Sequence, residues 1–129
     1  MKTRNETQNS VPRIESHQKV TGRLKYLEDL EIRGMLHAKI LRSPVPHAKI
    51  VRLDTSHTKN LPGVITTLTR DDIVDNPRYD CYYGPVMKDQ SIVAVDKVHH
   101  VGDIVAAVAA TSPEIAEQAL ELIEVDYEE

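Results

Sequence analysis

The feature that most constrains the fold is an unbroken apolar run, IVAAVAA, at residues 104–110. A run of this length between the turn residues Gly102-Asp103 and Ser112-Pro113 is typical of a strand buried on both faces. The chain has no Trp and no Phe, so the core around that strand must be mainly aliphatic. With 129 residues, the chain has the size of one compact domain.

The clearest helix follows this strand. Ser112 is a preferred cap, Pro113 suits the first helical position, and Glu114 places an acid in the first turn. Apolar residues then recur at helical spacing, namely Ile115, Ala116, Ala119, Leu120 and Ile123. Residues 124–127 alternate between polar and apolar and predict a final strand.

Several shorter elements come earlier in the chain. Residues 35–42 have a period of two, which predicts a strand half-buried on one face. Strands are also predicted at 48–53, 64–68, 92–95 and 98–101, and helical turns at 57–59 and 70–73. The strands at 35–42 and 48–53 are expected to form an antiparallel or crossed pair, and residues 92–110 a meander. A turn at Gly22 should precede the first buried side chains, Tyr26 and Leu27.

Length and composition exclude several classes of protein. No apolar run approaches the roughly 20 residues that span a bilayer, and residues 1–10 lack the apolar region of a secretory signal. The only cysteine is Cys81, which excludes an internal disulfide and zinc sites that need two or more thiolates. We therefore expect a cytoplasmic protein without a membrane partner.

The charge is unevenly distributed along the chain. The net charge is −4, with an excess of basic residues in 1–25 and seven acidic but no basic residues in 112–129. An acidic chain without a basic stripe is a poor nucleic-acid binder, so no nucleic-acid partner is expected. The asymmetry fits either an ordinary solvated surface or two ends that face different partner surfaces.

No catalytic, cofactor-binding or metal-binding residue is predicted from these patterns. His99 and His100 are adjacent in a predicted strand and should point to opposite faces, and the other histidines are scattered. Asp71 and Asp72 are explained by the dipole of a short helix, and Cys81 has no nearby base that would activate it. The five glycines never come close enough to form a phosphate-binding loop.

Residues 74–91 have no helical or strand period. A loop of this length in a compact domain is uncommon and is often functional. Three of the five tyrosines lie in it: Tyr79, Tyr82 and Tyr83.

An ordered set of short motifs resembles the N-terminal segment of the molybdenum hydroxylase large subunit, a family that includes xanthine dehydrogenase, aldehyde oxidase, carbon monoxide dehydrogenase and 4-hydroxybenzoyl-CoA reductase. The similarity covers about residues 12–129, and the set is specific because its pieces occur in order. The motifs include Gly34-Met35-Leu36, Ile40-Leu41-Arg42-Ser43-Pro44, Pro46-His47-Ala48-Lys49-Ile50, Leu61-Pro62-Gly63-Val64, Asp96-Lys97-Val98, Val101-Gly102 and Ile123-Glu124-Val125-Asp126-Tyr127.

The resemblance implies an α+β fold, the α/β-hammerhead, with a mixed sheet, one main C-terminal helix and short helical turns. It places this domain at 12–129, after a disordered tail at 1–11. In such enzymes the following domains bind molybdenum through molybdopterin and carry a general-base Glu. They hydroxylate an electrophilic carbon with oxygen from water, and electrons leave through 2Fe–2S clusters, usually to FAD.

The resemblance has two mild departures. Asp103-Ile104 replaces the more common Glu-Pro, and Glu15 stands where Asp is usual. Family members continue for hundreds of residues beyond the last motif, so we expect a truncated chain or a split gene. The stretch from Tyr83 to Gln90 is most similar to bacterial xanthine dehydrogenase and 4-hydroxybenzoyl-CoA reductase.

These considerations predict a scaffold domain of a molybdopterin-dependent oxidoreductase acting on an aromatic, purine or aldehyde substrate. The fragment itself would be non-catalytic and hold no cofactor. Its partners would be the molybdopterin-binding domains of the same subunit and the iron–sulfur and FAD domains or subunits. Tyr79, Tyr82 and Tyr83 would line the substrate funnel or, equally well, pack the loop onto a neighbouring domain. Alternatives are a free-standing assembly module and a small metal-binding protein.

Overall fold

The computed structural model describes residues 13–74 and 76–129. The predicted tail at residues 1–11 lies outside this part of the chain. Contacts divide the chain into two units, Met1–Arg33 and Gly34–Glu129.

In the first unit, the described residues form helix α1 (Ser16–Val20) and one 3-10 turn (Leu27–Asp29). The turn predicted at Gly22 is present, with φ of +66°. Tyr26 and Leu27 are 57% and 85% exposed, so the prediction that they are the first buried side chains is wrong. One-turn elements present too little apolar surface to form a core, and none of residues 13–33 is buried.

The second unit is α+β, as predicted. Its elements in chain order are β1 (His37–Arg42), β2 (Ala48–Asp54), α2 (Ser56–Lys59), β3 (Val64–Leu68), α3 (Arg70–Val74), β4 (Tyr82–Tyr83), β5 (Gln90–Ser91), β6 (Lys97–Val98), β7 (Ile104–Ala110), α4 (Pro113–Glu121) and β8 (Glu124–Glu128). They build three sheets, with strand orders β1-β7-β3, β6-β2-β8 and β4-β5.

All strand pairs between described residues are antiparallel. The expected mixed sheet is therefore replaced by small antiparallel ones.

Strand β7 is the centre of the fold, as its apolar sequence predicts. It pairs with β1 on one side and with β3 on the other. Val105, Ala106, Val108 and Ala110 are each at most 1% exposed. The small alanines let helix α4 pack closely, so that Ala106 and Val108 form one buried cluster with Ala119 and Ile123.

A second buried cluster lies against the other three-stranded sheet. Ala48 and Ile50 of β2 pack with Ala94, Val98 and Val105. The backbone N–H of Ala94 donates to the carbonyl of Ile104 at 2.7 Å. This bond holds the segment around Ala94 against the start of β7. Residue 105 belongs to β7, so this strand joins the two clusters.

Two predicted strand pairings are wrong. Strands β1 and β2 do not pair with each other: β1 pairs with β7, and β2 pairs with β6 and β8. The Pro-rich link after β1 redirects the chain, because the N–H of Ser43 donates to the carbonyl of Asp103 and its carbonyl accepts from Gly102, both at 2.8 Å. These bonds tie the link to the turn before β7 instead of closing a hairpin.

The predicted meander at 92–110 is also wrong. Residues 92–95 form no strand, and β6 is only two residues long. Strands β6 and β7 then belong to different sheets. Val93 and Ala94 are nevertheless buried, which explains why the segment is as apolar as a strand.

The helix and cap predictions at the C-terminal end are confirmed. The hydroxyl of Ser112 accepts a hydrogen bond from the N–H of Ile115 at 3.3 Å, and Pro113 occupies the first turn of α4. At α3, the carboxylate of Asp72 accepts from the N–H and hydroxyl of Thr69 at 2.8 and 2.9 Å.

Candidate functional site

The tyrosine-rich segment contains a short hairpin. Strands β4 and β5 pair antiparallel, with Tyr82 opposite Ser91 and Tyr83 opposite Gln90. Two-residue strands are too short to show a period in sequence, which is why the sequence predicts only a loop over residues 74–91. Apart from these four residues and the end of α3, the described part of this segment has no regular structure.

Two contacts involve the six residues that connect β4 and β5. A Cβ atom at Gly84 would overlap the backbone carbonyl of Met87, so this position requires glycine. The Lys88 ammonium donates to the Asp80 carboxylate. This hydrogen bond and charge hold the pKa of Asp80 below its ordinary value.

The three tyrosines do not share one environment. Tyr79, Tyr82 and Tyr83 are 54%, 43% and 53% exposed. Neighbouring residues in a strand point to opposite faces, and the structure shows the consequence. Tyr83 lines a cavity of about 450 Å³, Tyr82 lines one of about 90 Å³, and Tyr79 lines neither.

The larger cavity brings together polar groups from distant parts of the sequence. Its lining includes Arg42, Tyr83, Asp89, His99, His100 and Asp103. The Arg42 guanidinium donates to the carbonyl of Gly102 at 2.8 Å. The Asp103 carboxylate accepts from the N–H groups of His99 and Ile104, both at 3.0 Å.

Sequence reasoning missed this cavity. Arg42 ends β1, whereas His99 and His100 follow β6, and no linear motif connects them. The prediction that His99 and His100 point to opposite faces of a strand is wrong, because β6 ends at Val98 and both residues line the same cavity. The repeated bonding between residue 43 and residues 102–103 is what brings the segments together.

The described residues offer no ligand set for a metal or a metal cluster. In the ranges 13–74 and 76–129, no three His, Cys, Asp or Glu side chains are placed to hold one ion. Asp72 is engaged by Thr69, and Asp71 lies 3.6 Å from the Arg70 guanidinium.

The antiparallel sheets around β7, covered by α4 and carrying a tyrosine hairpin, define a small α+β domain. Residues 21–129 match the family model described as "aldehyde oxidase and xanthine dehydrogenase, a/b hammerhead domain". The chain belongs to this hammerhead family, as the sequence motifs indicate.

Relatives over most of the chain are components of much larger proteins. The chain is 48% identical over 111 residues to a probable xanthine dehydrogenase subunit of Bacillus subtilis, covering 86% of the chain and 14% of that protein. It is 38% identical over 117 residues to the nicotinate dehydrogenase large molybdopterin subunit of Eubacterium barkeri, covering 91% and 27%.

Solved structures show the same fold. Quinoline 2-oxidoreductase from Pseudomonas putida 86 matches with a TM-score of 0.80 and 38% identity, over 92% of this chain and 16% of that one. Carbon monoxide dehydrogenase from Oligotropha carboxidovorans matches with a TM-score of 0.84 and 37% identity, over 92% and 15%. The chain thus spans roughly one seventh to one quarter of these proteins.

No helix among the described residues combines the length and the apolar character needed to cross a bilayer.

Proposed function

We propose that the chain acts as the hammerhead scaffold domain in the large subunit of a molybdopterin-dependent oxidoreductase. The observation that carries this proposal is the alignment of about nine tenths of the chain with a small share of much longer redox subunits. The enzyme would hydroxylate or reduce an aromatic, purine or aldehyde substrate. The domain itself would contribute structure and no catalytic group.

The cofactors would lie outside this domain. Molybdenum bound to molybdopterin would be held by the following domains, and 2Fe–2S clusters and FAD by partner domains or subunits. We also propose a cytoplasmic location, as expected from the sequence.

The segment 74–91, which carries Tyr79 and the hairpin residues Tyr82 and Tyr83, would form part of the wall of the substrate funnel. Tyr79, Tyr82 and Tyr83 each expose about half of their surface, so their rings are available to a flat substrate or to a neighbouring domain. An aromatic face with a polar tip suits a heteroaromatic ring. The cavity beside Tyr83 has the volume of an ordinary small-molecule site.

The test uses the protein purified from its source with every polypeptide that assembles with it. Molybdenum should be present in stoichiometric amount, and the complex should oxidise or reduce at least one substrate of these classes. A metal-free, inactive 14.5 kDa chain without partners would contradict the proposal and favour a free-standing module.

The funnel role is tested in the same complex with Tyr82→Ala plus Tyr83→Ala. We expect a change in relative kcat/KM among several substrates, while the molybdenum content stays unchanged. Tyr26→Ala is the matched control, because Tyr26 is similarly exposed at 57% but lies outside the hairpin. Unchanged relative kcat/KM would show that the tyrosines pack against protein instead.

A further inference from the structure

One face of the β1-β7-β3 sheet is crossed by two uncharged rows of side chains. The first row consists of Ala38, Ala109 and Thr66, which are register partners across the three strands. The second row consists of Ile40, Ala107 and Leu68. Directly opposed residues in antiparallel strands project to the same side of a sheet, so the six side chains form one patch, called here the open face.

The reverse side of the same sheet is already occupied. It carries Val108 and Ala106, which pack against Ala119 and Ile123 at α4. Lys39 lies on this side as well, with its ammonium 4.0 Å from the carboxylate of Glu117 on α4. The alternation in β1 therefore places its half-buried residues under α4 and leaves Ala38 and Ile40 exposed.

The open face has the composition of an interior surface. Ile40 is 43% exposed, Ala38 and Thr66 are exposed, and Ala107, Ala109 and Leu68 are only half-buried. The chain as a whole is 28% charged, yet none of the six positions is charged. The face of a sheet that contacts water normally carries polar side chains. The uncharged open face is therefore suited to being covered by protein.

From this we infer that the open face is the surface on which the rest of the large subunit packs. The inference rests on the proposed function. It is supported by the size of the relatives: this domain makes up only 14% to 16% of several of them, so most of such a subunit is available to cover it. Uncharged side chains of matching shape are the complement that this patch requires.

The area of the open face argues against a second copy of the chain as the occupant. The patch is three strands wide, at about 4.8 Å per strand, and a few residues long, at about 3.4 Å per residue. Its area is therefore roughly 200 Å². A stable protein–protein interface buries about 800 Å² on each partner. A small patch is sufficient, however, when the occupant is covalently linked, because linkage supplies a millimolar effective concentration.

The experiment measures cysteine accessibility in the native complex. Ile40→Cys is introduced at the open face and Val51→Cys as the control, since Val51 is an exposed apolar residue of β2, in another sheet, at 57% exposure. Each variant is treated with a maleimide in a native lysate of the source organism, and labelling is read by peptide mass spectrometry. Ala38→Cys, in the neighbouring row, replaces Ile40→Cys if the latter reduces the yield.

We expect labelling at position 40 to be slower than at position 51 by about tenfold or more, which corresponds to a face covered about 90% of the time. The two rates should become equal after denaturation. Equal rates in a native complex that holds molybdenum would overturn this inference and leave the proposed function intact. Protection at position 40 in a complex that contains only two copies of this chain would also overturn it.

Discussion

The hydroxyl of Thr58 in α2 donates a hydrogen bond to the carbonyl of Ala119 in α4 at 3.1 Å, and both residues are fully buried. The two helices are separated by about sixty residues in sequence, so this bond ties two distant parts of the chain together. No buried side-chain nitrogen or oxygen among the described residues is left without a partner. The bond therefore belongs to a set of buried side-chain polar atoms that all have partners among the described residues.

Replacing Thr58 with Val should destabilise the chain by about 1 kcal/mol, because a buried hydrogen bond is lost while the shape is kept. The Ala119 carbonyl also accepts from the N–H of Leu122 at 3.3 Å, which limits the cost. Thermal or urea unfolding measures the change. Thr66→Val is the matched control, since Thr66 is exposed and should change the free energy of unfolding by less than about 0.5 kcal/mol. Equal effects of the two variants would contradict the assignment.

Gly63 should tolerate no side chain. Its φ is +94°, and an added Cβ would lie 2.7 Å from Cδ1 of Ile115 and 3.0 Å from the hydroxyl of Thr111. Gly63→Ala combines strain in the left-handed region with overpacking against α4, and we expect a loss of about 2–3 kcal/mol in the free energy of unfolding.

Gly102→Ala separates the two causes of that loss. Gly102 has a similar φ of +89°, but no atom lies within 4 Å of an added Cβ. This variant should therefore cost only the backbone strain, about 1 kcal/mol. If Gly63→Ala and Gly102→Ala lower the free energy of unfolding by the same amount, overpacking against Ile115 does not contribute to the loss at Gly63.

The fold was predictable wherever a local signal decides the structure. The run at 104–110, the Ser112 cap and the strand at 64–68 are each determined by neighbouring residues, and all are confirmed. The pairing of β1 with β7 was not predictable, because it is accompanied by hydrogen bonds between residue 43 and residues 102–103, which lie about sixty positions apart in the sequence. The period of two in β1 shows that the strand has one more buried face and one more exposed face. It does not show that α4 covers the face that carries Lys39.

The site was less predictable than the fold. Its tyrosines were found because they cluster in one unpatterned segment, and aromatic clustering is visible in sequence. The grouping of Tyr83 with Arg42 and His100 around a cavity depends on tertiary contacts that have no sequence signature. Likewise, adjacency of Tyr82 and Tyr83 concealed that they line different cavities.

The Asp80–Lys88 ion pair makes the stability of the hairpin depend on pH. The pKa of Asp80 is lowered from an ordinary 3.8 by the hydrogen bond and charge of Lys88, so the ion pair stabilises the hairpin above that value. This contribution is lost as the pH falls through the lower pKa of the folded state. Lys88→Gln should return the pKa of Asp80 toward its ordinary value, as measured by the NMR shift of its carboxyl carbon. Lys97→Gln is the control and should leave that pKa unchanged, whereas a shift with Lys97→Gln alone would contradict the assignment.

The last prediction separates the two adjacent tyrosines within the proposed enzyme. Tyr83 shares the larger cavity with Arg42, whereas Tyr82 faces the smaller one. An aromatic contact contributes about 0.5–1.5 kcal/mol beyond its buried area, so Tyr83→Ala should raise KM for an aromatic substrate by about threefold to tenfold. Tyr82→Ala should change KM by less than about twofold. Steady-state kinetics of the purified complex, with molybdenum measured in each variant, checks both values. A larger rise in KM for Tyr82→Ala than for Tyr83→Ala would show that the substrate approaches from the other side of the hairpin.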